Sequence, residues 1–273
     1  NQSGGKGLSM EAPPVPWSLA SAVGVSSAAF ATLMSQIPLF SDTASRLVPK
    51  ESYWPVMSRR FPGTQAAMRY KLGDGGNLEN TGVLPMLQRG ARRIAWFVNT
   101  DTGISRSFDF CGAHHIVPGF NFKGLITNQV TDKFGFGHSS RESFLNNNQV
   151  FEATEFFPLV CELQKKRDAG KPAVSLRNLT VTPNRWWGIA GGFKVELLVV
   201  YNDRCADFES KLPSDTQREL RRGDHFRRFP WFKTVMQNMG RFTSYTSEQV
   251  NLLSSQSEYA VRENAELFRG ILS

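Results

Sequence analysis

Residues 68–99 read MRYKLGDGGNLENTGVLPMLQRGARRIAWFVN and contain the clearest secondary-structure signals of the chain. Residues 68–72 predict a short strand, and the glycines around Asp74 predict a tight turn after it. Residues 77–88 predict a helix, with a glycine just past its end where a left-handed cap is expected. The apolar run in residues 93–99 predicts a buried strand. This order predicts a βαβ unit, and therefore a parallel sheet with a right-handed crossover.

The rest of the chain adds one strand and a helical tail. Residues 193–201 (FKVELLVVY) form an apolar run bounded by turn residues, which predicts a strand. Residues 108–148 are rich in glycine and aromatic residues and predict long loops. Helices are predicted in residues 214–222, 231–239 and 247–268, the last with Thr246 or Ser247 as its N-cap. We therefore expect an α/β fold with a mainly parallel central sheet flanked by helices, as a single domain over residues 1–273 with a flexible lead in residues 1–11.

Composition and charge exclude several classes of protein. The chain has 273 residues, 40% of them hydrophobic, which excludes a wholly disordered chain. Its 32 lysine and arginine residues against 24 acidic ones give a net charge of +8, which favours anionic partners such as phospholipid head groups. No nucleic-acid-binding signature accompanies this charge, so we expect no nucleic acid as a partner. Three cysteines are too few for a disulfide scaffold, and their odd number leaves at least one free or paired with another chain.

Residues 12–41 contain no charged side chain. Within them, residues 18–36 are rich in alanine, serine and glycine, which is typical of a helix buried among close neighbours. A membrane span is the alternative, because about 20 mainly apolar residues can cross a bilayer. The repeated serines favour burial.

Asp74 is the first candidate for a catalytic residue. It lies where a strand ends and a helix begins, which is the usual ligand crevice of an open α/β sheet. Gly73, Gly75 and Gly76 leave room around it for a substrate or a partner loop. A carboxylate at this place can accept a proton from a nucleophilic hydroxyl. The simpler interpretation is an ordinary Asp-Gly turn.

The wider pattern resembles the catalytic-aspartate block of the patatin and cytosolic phospholipase A2 superfamily. Residues 17–30 are similar to another part of such proteins, and so are residues 229–234 and 247–253, together with 200–203 and 212–213. In this family an aspartate in an Asp-Gly-Gly turn is the partner of a serine in a Ser–Asp dyad, and the resemblance gives that role to Asp74. The likeness rests on Asp74, Gly75, Gly76, Asn80, Thr81, Gly82, Val83, Leu84, Leu87, Arg89, Gly90 and Ile94.

The family's nucleophile is a serine in a G-x-S-x-G turn before the aspartate, and this chain has no clean copy of that motif. Ser26 lies in the nearest match but inside a predicted helix, Ser139 follows the aspartate, and Ser3 has no strand before it. We therefore expect a C-terminal, Asp-bearing part of a patatin-like fold, completed by a second chain that carries the serine and comes from the same precursor.

The resemblance implies hydrolysis of lipid esters, of the phospholipase or galactolipase kind, without a metal or organic cofactor. Two other classes stay open: a patatin-like subunit that has lost its activity and serves a structural, storage or lipid-binding role, and a binder of anionic polymers. Basic residues interleaved with aromatic ones suit contact with a lipid surface. The residues predicted to make it are Arg221, Arg222, Arg227, Arg228 and Trp231. The alternative is a solvated helix face whose aromatic side chains turn into the core.

The remaining signals concern metals and compartment. The four histidines lack acidic or cysteine partners at metal-binding spacing, so we expect no metal site. Asn178-Leu179-Thr180 and Asn1-Gln2-Ser3 match the acceptor pattern for N-glycosylation. Together with the lipid resemblance, these triplets favour a peripheral membrane protein of a secretory or lumenal compartment over a cytoplasmic one.

Overall fold

The structure is a computed structural model. It describes residues 18–19, 50–53, 68–71, 79–117, 120–136, 148–223, 225–232 and 245–273. The chain divides into two compact units, Asn1–Asn80 and Thr81–Ser273, which are described separately. Residues 20–36, where burial and a membrane span were the alternatives, lie outside the described residues. Among the helices of the described part, none is long and apolar enough to cross a membrane.

The first unit contains a pair of short antiparallel strands. Strand β1, Lys50–Tyr53, pairs with β2, Met68–Lys71. The predicted strand at residues 68–72 is therefore confirmed, but its partner is not the strand that follows at residue 93, so the predicted βαβ unit is wrong. The reason lies in the residues themselves. A buried parallel strand needs a nearly continuous apolar run, and Met-Arg-Tyr-Lys is not one.

A three-stranded sheet organises the second unit. Strand β3, Arg93–Val98, runs parallel to β5, Phe193–Tyr201, and β4, Val174–Val181, runs antiparallel to β5, in the order β3-β5-β4. The predicted strands at residues 93–99 and 193–201 are confirmed. The described sheet is mixed, with one parallel and one antiparallel pairing, rather than mainly parallel. Together with the helices, it confirms the α/β class.

Short helices precede and follow β3. Helix α1 spans Val83–Gln88, and Gly90 after it has a φ of 73°, which is the left-handed cap that the sequence predicted. The helix begins at Val83 rather than at residue 77. The preceding Gly82 has a positive φ of 74°, which a right-handed helix does not contain. After β3 come α2, Asn128–Thr131, and the 3₁₀ turn Asp132–Phe134.

Helix α3, Phe156–Asp168, follows the 3₁₀ turn Ala153–Glu155 and supplies much of the core. No element was predicted here or at β4 from the sequence. Pro158 is tolerated because it lies in the first turn, where no intrahelical N–H bond is lost. The buried side chains of α3 pack into a cluster of phenylalanines from the loop after β3, among them Phe110, Phe122 and Phe136.

The tail is helical but broken more often than the sequence indicated. Helices α4, Ala206–Ser210, and α5, Ser214–Arg222, are followed by α6, Ser247–Glu263, and α7, Ala265–Leu272. Helix α5 matches its prediction. The single helix expected over residues 247–268 is instead two helices.

The break between α6 and α7 falls at Asn264. Its side chain Nδ2 donates to the Ala260 carbonyl at 2.9 Å and competes with the backbone. The break lets Phe268 and Ile271 of α7 pack on the sheet with Leu198 of β5.

The helix predicted at residues 231–239 does not begin where expected. Trp231 and Phe232 follow Pro230 in irregular backbone, and the rest of that range lies outside the described residues.

Candidate functional site

The carboxyl ends of β3 and β5 meet at one edge of the sheet. Val98 pairs with Tyr201, so the residues that follow each strand leave the sheet side by side. The Asn202 N–H donates to the Val98 carbonyl at 3.1 Å, which holds the two exits together. This edge is where open α/β sheets bind ligands.

A cleft of about 990 Å³ opens at this edge. Its polar lining comes mainly from the loop after β3 and from the segment around α2, and its apolar lining comes from residues near Pro230 and from one face of α6. Such a mixture suits a ligand with an apolar body and a polar end. The polar loop groups are those of Asn99, Thr100, Asp101, Thr102, Lys123, Thr127, Asn128 and Gln129, and the apolar ones are Ile126, Pro230, Phe232, Val250 and Leu253.

Tyr201, the last residue of β5, joins two parts of the cleft wall. Its hydroxyl donates to the Thr102 carbonyl at 2.6 Å and accepts the Thr127 N–H at 3.2 Å. Burial raises the pKa of this hydroxyl far above its usual range. It therefore stays protonated and acts as a fixed link between the loop after β3 and the start of α2.

Asp203 holds the chain in place at Ile104, six residues after the end of β3. Its carboxylate accepts the Ile104 N–H at 2.8 Å and the Arg204 N–H at 2.7 Å, and lies 3.8 Å from Nη1 of Arg167. Burial raises the pKa of Asp203 to about 6, and the two N–H donors and Arg167 oppose that shift. The carboxylate is covered by protein, so it serves the architecture of the cleft rather than contact with a ligand.

Arg167 of α3 holds the same segment by hydrogen bonds to its backbone. Its side chain is 1% exposed, and it donates to the carbonyls of Ile104 and Ser105. Its Nε also bonds to Asp168 at 2.7 Å. Because the chain after β3 is held at Val98 and again at Ile104, residues 99–102 between these points form a fixed wall.

The described lining of the cleft offers binding groups rather than a catalytic pair. The Ser257 hydroxyl donates to the Leu253 carbonyl of its own helix at 3.0 Å. The Thr102 hydroxyl donates to the neighbouring Asp101 carboxylate at 3.0 Å, on the exposed rim. In the described part of this lining, no serine hydroxyl is hydrogen-bonded to a carboxylate or a histidine.

The residues predicted to carry the chemistry lie outside the described residues. These are Asp74 with its flanking Gly73, Gly75 and Gly76, and the three weighed serines, Ser3, Ser26 and Ser139. Their roles therefore stay predictions.

The basic cluster is present, but its aromatic members turn inward. Arg221, Arg222, Arg227 and Arg228 are all exposed. By contrast, the interleaved Phe226 and Phe229 are buried against Cys205, Phe208 and Leu252. This is the alternative in which a charged surface lies over an aromatic core.

Trp231, the fifth predicted lipid contact, supports the cleft. Its side chain is half-buried, and Nε1 donates to the Asn202 carbonyl at 3.0 Å. Its indole lies so close to Gly103 that a methyl group on that glycine would overlap it. This contact could not be predicted from the sequence, because Gly103 and Trp231 are far apart along the chain.

The described histidines are His114, His115 and His225. His114 and His115 are exposed neighbours, and Nε2 of His225 lies 2.8 Å from the Thr246 hydroxyl. Among the described residues, no group of three His, Cys, Asp or Glu side chains could hold a metal ion.

The two adjacent tryptophans lie in different environments. Trp186 is 62% exposed, whereas Nε1 of Trp187 donates to Asn148 at 2.9 Å, so the pair divides between surface and core.

Two of the three cysteines form a disulfide that sequence reasoning missed. Cys111 in the loop after β3 is bonded to Cys161 on α3, across a separation of 50 residues. Cys205 is the free, buried thiol that the odd count required. No local spacing rule signals a pair so distant in sequence.

No protein-family model, curated protein or solved structure matches this chain. The likeness to patatin-like proteins therefore rests on the residues of the Asp74 block and stays a prediction.

Proposed function

We propose that this chain is the Asp-bearing part of a lipid acyl hydrolase of the phospholipase or galactolipase kind. Asp74 is the partner of a serine in a Ser–Asp dyad, and the serine comes from a second chain or from an upstream part of the same precursor. The observation that carries the proposal is the Asp74 block itself. Support also comes from its described end, residues 79–98, where a helix over Val83–Gln88 is followed by the predicted left-handed glycine cap and the predicted strand.

The cleft at the carboxyl edge of the sheet, which lies within the unit Thr81–Ser273, supports a lipid as a ligand of this chain. Its volume of about 990 Å³ accommodates several carbons of an acyl chain together with a polar head group. Val250 and Leu253 of α6 and Phe232 offer contact to hydrocarbon, while the loop at residues 99–102 offers hydrogen bonds to the head group.

In the proposed reaction, the Asp74 carboxylate accepts the proton of the serine hydroxyl as the serine oxygen bonds to the ester carbonyl carbon. The bond to the alcohol then breaks, and the alcohol leaves with that proton. Water attacks the acyl-serine in the second step and releases the fatty acid. Backbone N–H groups of a glycine-rich loop stabilise the negative oxygen in both steps. This chemistry requires no metal or organic cofactor.

The exposed arginines support attachment to an anionic surface. Arg221, Arg222, Arg227 and Arg228 lie close in sequence, and basic clusters of this kind bind anionic head groups with about 1 kcal/mol per residue near the surface. This suits a peripheral protein that meets its substrate at a membrane.

Hydrolysis by the native assembly tests the proposal. A tagged copy of the full chain is purified from its source cells with whatever chains accompany it, and release of fatty acid from phospholipid and galactolipid vesicles is measured. We expect Asp74→Asn to reduce the rate by at least about 100-fold, since a positioned proton acceptor contributes that much or more. Glu266→Gln, which changes an exposed carboxylate on α7 in the same way, is the control and keeps the full rate.

Two results would argue against the proposal. Equal rates for Asp74→Asn and the control would exclude Asp74 from the reaction. An assembly that binds the vesicles without releasing fatty acid would favour the second class, a patatin-like lipid-binding subunit that has lost its activity.

A further inference from the structure

Among the described residues, helix α7 covers only half the length of one face of the sheet. Val174 of β4 and Leu198 and Val200 of β5 lie under α7 on this face. Because side chains alternate along a strand, Asn178, Glu196 and Lys194 belong to the same face, further from α7. All three are exposed. The uncovered half is therefore polar.

Asn178 lies in the middle of this uncovered half. It is directly opposite Glu196 in the antiparallel register. No described residue forms a hydrogen bond with its side-chain amide. The following Leu179 is buried and Thr180 is half-buried, so Asn178 is the exposed member of an Asn-Leu-Thr acceptor triplet. A bulky saccharide on this nitrogen would extend into solvent.

The disulfide is a second, independent observation on the compartment. Cys111 and Cys161 are bonded to each other, and such bonds form and persist in oxidising compartments but are rare in the cytosol. N-glycosylation is a modification of surface sites in secreted proteins. An exposed acceptor and a disulfide in one unit thus indicate the same route.

We infer that Asn178 carries an N-linked glycan and that the chain folds in the secretory pathway. The amide nitrogen of Asn178 bonds to the anomeric carbon of an oligosaccharide whose donor is a lipid-linked pyrophosphate. The bond from that carbon to the pyrophosphate oxygen breaks, the lipid pyrophosphate leaves, and the amide loses one proton.

The position of the glycan leaves the cleft free. Asn178 is opposite Glu196 of β5. Glu196 lies five residues before Tyr201, which is the carboxyl end of that strand. At about 3.3 Å per residue, roughly 16 Å of strand separates the glycan from the edge where the cleft opens. The modification is therefore compatible with the proposed lipid site and does not depend on it.

Peptide mapping of the native protein tests the inference. Trypsin releases a peptide that begins at Asn178 and ends at Arg185, and peptide N-glycosidase in ¹⁸O-water converts a glycosylated asparagine to a labelled aspartate. We expect labelling of Asn178 that depends on the glycosidase. Asn184 in the same peptide is the control, since it is buried, lies outside an acceptor triplet and stays unlabelled. Native protein with an unmodified Asn178 would overturn the inference.

Variants secreted from a eukaryotic host give a second readout. Asn178→Gln is expected to remove the glycosidase-sensitive mobility shift of the folded protein, whereas Thr180→Ser keeps the acceptor triplet and is expected to keep the shift. A wild-type chain that is secreted without any shift, or a shift that persists in Asn178→Gln, would contradict the assignment.

Discussion

Asp203 is buried, where its carboxylate accepts the Ile104 N–H, and its protonation affects stability. Its pKa is about 6 in the folded protein, against about 4 for an exposed aspartate. The folded state therefore holds its proton more tightly than the unfolded state between these two pH values. The contribution of this residue to the free energy of unfolding should therefore decrease by about 3 kcal/mol as pH rises from about 4 to about 6. Above about pH 6 it should stay constant.

Urea denaturation across pH 4–7 measures this effect, with Asp203→Asn as the comparison. The variant has no titrating group at this position, so its stability should decrease less over the same window. Its side-chain NH2 group would face one of the two N–H groups, of Ile104 or Arg204, that each bond a different carboxylate oxygen, so the variant should lose one of these hydrogen bonds. Parallel pH curves for the two proteins would contradict the prediction.

Gly103 is a position where the close approach of a side chain requires glycine. A methyl group there would overlap the Trp231 indole, so Gly103→Ala should displace this ring and break its hydrogen bond to Asn202. We expect a loss of about 1–3 kcal/mol in the free energy of unfolding. Gly270→Ala is the control, because open space surrounds Gly270 on α7 and alanine favours a helix by up to about 1 kcal/mol. Equal effects of the two substitutions would contradict this contact.

At the scale of an element, α6 is held at its start by a complete capping box. The Thr246 hydroxyl accepts the Gln249 N–H at 3.3 Å, and Oε1 of Gln249 accepts the Thr246 N–H at 3.1 Å. Thr246→Ala should lower the free energy of unfolding by about 1 kcal/mol in chemical denaturation. Ser257→Ala removes a hydroxyl that bonds back to its own helix, and should be nearly neutral. A neutral Thr246→Ala would show that the cap contributes nothing.

The elements that the sequence predicted well have strong local signals. Strands β3 and β5 are long apolar runs, α5 begins after Pro213 and ends at Gly223, and α6 has its capping box. The elements that were not predicted are those whose formation depends on tertiary contacts. Helix α3 lies in a cluster of phenylalanines that no local pattern reveals, and the pairing of β2 with β1 depends on two segments about 15 residues apart.

The sequence placed the ligand crevice at Asp74, after β2, whereas the described cleft lies at the carboxyl ends of β3 and β5. Strand β3 was predicted, but its parallel pairing with β5 was not, because the sequence indicated β2 as its neighbour. The roles of Tyr201, Arg167 and Asp203 could not be predicted, because each links segments at least 60 residues apart. The inward turn of Phe226 and Phe229 likewise depends on where α6 packs, through Leu252.

At the scale of the whole molecule, the Cys111–Cys161 bond closes a loop of 50 residues. A cross-link over such a span stabilises a protein by about 4 kcal/mol, mainly by restricting the unfolded chain. We expect the thermal midpoint to decrease when a dithiol reductant is added to the wild type. The double variant Cys111→Ser with Cys161→Ser should start at the lower value and not respond to reductant. A reductant-dependent decrease in that variant would mean that another thiol is responsible.

The central claim is that this chain supplies Asp74 to a serine carried elsewhere. A fluorophosphonate probe, which reacts with activated serines, tests it most directly on the native preparation, followed by a denaturing gel and peptide mapping. We expect label on a separate chain that co-purifies with this one and no label on this chain. Label on Ser3, Ser26 or Ser139 would contradict the claim that the serine lies elsewhere, and no label on any chain would contradict hydrolysis itself.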